Sequence, residues 1–84
     1  MTTTAEAAIL ALVTARGPAK SICPSEAARA LGEDWHAHMH AVRQAAIALA
    51  RAGRIEILRK GKPISPDEIK GVIRLRIRRE PGSL

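Results

Sequence analysis

Apolar residues recur along this chain with two different spacings, and the change comes at Gly53. Between Asp34 and Gly53, the residues Trp35, Met39, Val42, Ala46 and Leu49 are three or four positions apart. At about 100° per residue they form one stripe of a helix of about five turns. Asp34 can cap its start with a short carboxylate, and Gly53 can end it by entering the left-handed region cheaply. The opposite side carries His36, His40, Gln44, Ile47 and Arg51, with Ala37, Ala41 and Ala48 among them. After Gly53 the period falls to two. Arg54 to Arg59 alternates with Ile55 and Ile57 inward. Val72 to Arg79 alternates with Ile73, Leu75 and Ile77 on one face and Arg74, Arg76 and Arg78 on the other. Both stretches read as strands.

The segments before and between these follow from start and stop signals. Thr3 with Glu6 forms a capping box for a first helix from Thr3 to Arg16, whose buried stripe is Ile9, Leu12, Val13 and Ala5. Gly17-Pro18 stops it. Ala19 to Cys23 is an extended link with Ile22 inward, able to pair as a minor strand. Cys23-Pro24-Ser25-Glu26 opens a second helix, with proline where no amide partner is lost and Glu26 in the acidic position of a capping box. Gly32 closes it after about two turns, and Gly32-Glu33-Asp34 is a turn of the length a helix-turn-helix needs. Lys60-Gly61-Lys62-Pro63 is a turn between strands. Ser65-Pro66-Asp67-Glu68 repeats the earlier start signal and predicts one helical turn, broken at Gly71.

Helix, short strand, helix, turn, helix, strand, loop and strand is the order of a winged helix-turn-helix domain. The expected fold is α+β, mostly α: three helices with a two- or three-stranded antiparallel wing. The 84 residues allow one domain over 1–80 with a frayed tail over 81–84. With no Phe, no Tyr and one Trp, the core must be aliphatic and Trp35 is assigned to it.

Charge adds a partner class. The net charge is +6. Residues 1–50 hold four basic and four acidic groups, whereas residues 51–84 hold ten basic and four acidic, so the whole excess lies in the last third. A concentrated positive field favours a polyanion. The single Cys23 makes no internal disulfide, the amino-terminal MTTTAEAA lacks the basic patch of a secretory signal, and no apolar run approaches a membrane span. A reducing, cytoplasmic setting is the expectation.

The chain resembles a family of small bacterial winged-helix proteins catalogued as a domain of unknown function. The resemblance is carried by Cys23-Pro24-Ser25-Glu26 with Ala28-Arg29, by Trp35, Met39 and Val42-Arg43, and by Gly53-Arg54-Ile55. Gly61-Lys62-Pro63-Ile64-Ser65-Pro66 and Gly71-Val72-Ile73-Arg74-Leu75 complete it. It runs from about Ile9 to Arg76. An acidic residue is usual where Ser65 stands, and a proline where Val72 stands. The resemblance implies the winged-helix fold and no activity.

Function is therefore argued from residues. In helix-turn-helix readers the early residues of the second helix meet base edges. Here these are His36, His40 and Gln44, with Ala37 and Ala41 allowing close approach. Gln pairs with adenine, and His donates to guanine or phosphate. Arg51, Arg59, Lys60, Lys62, Arg74, Arg76 and Arg78 are the candidate phosphate contacts. Double-stranded DNA is the expected partner, bound by a monomer or weak homodimer. A protein-interaction module is the alternative, with an exposed Ile47 as its support. His36, His38 and His40 do not form a metal site, since only His36 and His40 share a side. Cys23 is read as a cap and not as a nucleophile. No phosphate loop, nucleophile elbow or acid pair is present, so neither catalysis nor a cofactor is expected. A Glu26–Arg43 ion pair is expected to lock the second helix to the third.

Overall fold

The computed structural model describes residues 4–69 and 71–78. Thr3, Arg79 and the expected tail lie outside the described residues. The first helix, α1 (Ala5–Arg16), is capped by Thr4, whose Oγ1 accepts from the Ala7 amide at 3.1 Å. This corrects the expected box. From a Thr4 cap, Glu6 falls at the second helical position, one short of where a carboxylate reaches back to the cap amide. At α2 (Pro24–Leu31) the reciprocal bond is present: the Cys23 amide donates to Glu26 Oε2 at 2.8 Å.

The turn into α3 (Trp35–Arg51) differs from its prediction in one respect. Asp34 occupies the cap position but makes no side-chain cap bond. Its ψ of 66° departs from the extended values of Thr4 (159°) and Cys23 (145°), and extended backbone is what aims a cap side chain at the free amides. The far end closes as a Schellman motif. Gly53 at φ 76° donates to Ala50 O at 3.0 Å, and Arg54 to Leu49 O at 2.9 Å. That reversal feeds the chain directly into β1 (Ile55–Arg59).

β1 is the middle of a three-stranded antiparallel sheet, order β2-β1-β3, with β2 spanning Lys62–Ile64 and β3 spanning Arg74–Ile77. Lys60 (φ 52°) and Gly61 (φ 79°) form a two-residue hairpin between Arg59 and Lys62. Positive φ at both central positions is the type I′ geometry, whose twist matches the flanking strands. The tight turn frees Lys62 and Pro63 for β2, where a four-residue turn was expected. Beyond it, Ser65 Oγ caps a short 3₁₀ turn over Pro66–Glu68, which packs against α3. β3 is shorter than its alternation suggested: Val72 and Ile73 precede the ladder. As expected, Ile22 pairs singly, exchanging two 2.8 Å backbone bonds with Leu75.

The sheet packs its Ile55, Ile57 and Leu75 face against the helices and, with Ile73 just ahead of β3, joins Ile9, Val13, Ile22, Val42, Ala46 and Leu49 in one aliphatic core. Trp35 is half-buried at the edge of that core. The guanidinium of Arg29 lies 4.9 Å from its ring centroid, and the His36 ring stacks on it at 3.6 Å. Gly32 is extended at φ 166°, and the His38 Nε2 lies 3.1 Å from where a Cβ there would stand. Three helices and an antiparallel sheet in this order fit a winged-helix layout.

Candidate nucleic-acid interface

The outward face of α3 is open. His36, Ala37, His40, Ala41, Gln44, Ala48 and Arg51 are all exposed. Ile47 is half-buried, so it does not provide the exposed apolar point that the protein-module alternative relied on. Along one flank, the start of α1 forms a shallow groove with α3, lined by Glu6 and Gln44 among others. A carboxylate therefore borders the Gln44 end of the face, and the exposed Glu33 and Asp34 stand just ahead of His36 at the other end. His38 turns to Gly32 and is separated from that pair.

The cations divide into engaged and open. Arg51 Nη2 meets Asp67 Oδ1 at 2.6 Å, because the 3₁₀ turn brings the acid against the end of α3. Arg76 lies directly across from Glu56, and its Nε and Nη2 donate to one carboxylate oxygen at 3.1 and 2.7 Å. These two arginines, expected to serve phosphates, each face an acid of the same chain, Arg51 in an exposed pair and Arg76 in a half-buried one. Arg74 also departs from its expected outward reach. Its guanidinium folds back to donate to Ser21 Oγ at 2.6 Å, Ser21 O at 3.0 Å and Cys23 Sγ at 3.5 Å. The Ile22–Leu75 bridge holds that segment alongside β3, and no acid is involved, so the charge of Arg74 is kept while its direction is set.

Arg59, Lys60 and Lys62 stand exposed around the hairpin with no ion pair among the described residues. Arg78 is likewise exposed, and Nη1 packs beside Gly53, 3.3 Å from where a Cβ would be. Arg54, not singled out from the sequence, is exposed close by, and its carbonyl accepts from the Arg78 amide at 3.2 Å.

The expected Glu26–Arg43 pair is absent. Glu26 Oε1 accepts from Arg16 Nη2 at 2.8 Å, while Oε2 caps α2. The Gly17 turn returns the chain so that the end of α1 faces the start of α2, and both carboxylate oxygens are occupied there. Arg43 instead lines a cleft of about 190 Å³ with Cys23, Ser25, Met39 and the Gly71–Ile73 segment. A second cleft, about 330 Å³, lies under Lys60, Gly61 and Arg74 and also includes Val72. Val72 is 84% exposed, the one large hydrophobic so open among the described residues. Alternation put Val72 in the strand on the outward face, and the structure leaves it exposed in the segment just before β3 begins.

Among the described residues, no three His, Cys, Asp or Glu side chains come together to hold a metal ion, and no helix is long and apolar enough to cross a membrane. No curated protein matches the chain. Residues 2–78 match the model of a family described as proteins of unknown function, DUF3253, and with nearly its whole length covered the chain belongs to that family.

Proposed function

We propose that the protein binds double-stranded DNA through phosphate contacts from the β1–β2 hairpin, with the His36–His40 end of α3 presented to the major groove and little choice of sequence. The observation that carries this reading is the cluster of Arg59, Lys60 and Lys62 around a two-residue turn, exposed and unpaired among the described residues. Three cations on a short, geometrically defined turn form a phosphate-binding edge. The small side chains Ala37 and Ala41 let the helix axis approach a groove, and His40 and Gln44 are the open polar groups on that face. Arg51, at the far end of this face, is paired with Asp67, and no arginine stands near the His36–His40 start of the face for bidentate contact with guanine. Weak base discrimination follows. Single-stranded nucleic acid is disfavoured by the lack of Phe and Tyr and by the half-buried position of Trp35.

The test is binding to a random-sequence duplex, followed by fluorescence anisotropy across a salt series. Each phosphate neutralised contributes about −0.9 to the slope of log K against log salt. Replacing Arg59, Lys60 and Lys62 together by Ser should flatten the slope by nearly three such increments without changing the circular dichroism spectrum. Absence of wild-type binding at low salt overturns the reading.

A further inference from the structure

Arg43 has lost the partner that its sequence context suggested, and nothing nearby on α3 replaces it. The residues one turn away are Met39, His40, Ala46 and Ile47, none acidic. It makes no ion pair among the described residues. It is half-buried, so its stem is held while its charge stays uncompensated. The cleft that it lines is bounded on the other side by Gly71 and Val72. The cleft, about 190 Å³, is open to solvent.

The second cleft, under Lys60 and Arg74, shares Val72 with the first. Val72 thus lines both clefts, one with Lys60 and Arg74 and the other with Arg43, and Arg74 Nη1 also reaches Cys23 Sγ, in the wall of the Arg43 cleft, at 3.5 Å. We propose that Arg43 is a phosphate-contact residue, and that the Arg43 cleft and the hairpin cleft seat successive phosphates of one DNA strand running over Val72. This rests on the DNA-binding reading above and extends it to a residue outside the hairpin.

The geometry gives Val72 a definite role. An apolar side chain 84% exposed between two cationic clefts offers a surface for the deoxyribose between the phosphates, without adding charge of either sign.

The test uses the full chain and the same random duplex. Arg43→Gln should make the salt slope shallower by about one and weaken binding several-fold, with melting temperature unchanged. Arg43→Lys should restore the slope. Val72→Asp, which sets a negative charge between the clefts, should abolish binding, and Val72→Ala should nearly preserve it. Arg43→Gln with a wild-type slope overturns the proposal, and so does a loss of affinity with the slope unchanged, which marks a structural role. Val72→Asp binding as wild type does the same. In all three cases the DNA reading stands if the Arg59/Lys60/Lys62 variant still loses affinity. A wild-type chain that fails to bind overturns both.

Discussion

Glu56 and Arg76 face each other across β1 and β3, with both the Nε and Nη2 of the arginine on a single carboxylate oxygen. Each side chain is 29% exposed, so the pair is partly shielded and holds the outer face of the sheet together. Cross-strand pairs of this kind contribute roughly 0.2–1 kcal/mol. Arg76→Ser should lower stability by that amount in urea titration and leave the salt dependence of DNA binding nearly as it was. Glu56→Gln should do the opposite for binding. It releases one positive charge on the face beside the hairpin, and the salt slope should steepen.

The two cap residues of α1 and α3 should respond differently to the same substitution. Thr4 makes a cap bond and Asp34 makes none. Thr4→Ala is expected to cost about 1 kcal/mol, and Asp34→Ala a few tenths at most. Thermal unfolding followed by circular dichroism separates them, because 1 kcal/mol moves the midpoint of a domain of this size by about 4–8 °C. Equal shifts would contradict the cap assignment.

Glu26 joins α1 to α2 through Arg16 and caps α2 through the Cys23 amide. Glu26→Ala removes both and should cost about 1–2 kcal/mol. Arg43→Met should leave the urea midpoint within a few tenths of a kcal/mol of wild type, since no carboxylate depends on it. A double variant no less stable than Glu26→Ala would show the two sites to be independent.

Lys60 holds a left-handed backbone conformation at φ 52° on a side chain with no special tolerance for it. Asn adopts that conformation more readily and is favoured in type I′ turns. Lys60→Asn should therefore stabilise the fold by about 0.5 kcal/mol, read as a rise in melting temperature. It should also weaken duplex binding by one phosphate contact. Opposite changes in stability and affinity from one substitution are expected where a turn residue is kept for its charge.

Local chemistry along the chain was enough to locate the three helices, the minor strand at Ile22 and the aliphatic core, but not the two-residue Lys60-Gly61 turn that frees β2. Capping, proline and glycine act within four residues, and the 3.6 and 2 periods follow from backbone geometry alone. The family membership also follows from these local motifs. Which arginines are free was decided by the tertiary structure. Arg51 and Arg76 are paired with Asp67 and Glu56, sixteen and twenty residues away, and Arg74 is turned aside by Ser21 at a separation of fifty-three. Glu26 was legible as a cap, but its second oxygen went to Arg16 and not to Arg43, because the Gly17 turn brings α1 back to the start of α2. Charge pairing depends on distances of a few ångströms between segments far apart in sequence, and those distances exist only after the sheet and helices have packed. The open hairpin cations and the cleft at Arg43 are consequences of that packing.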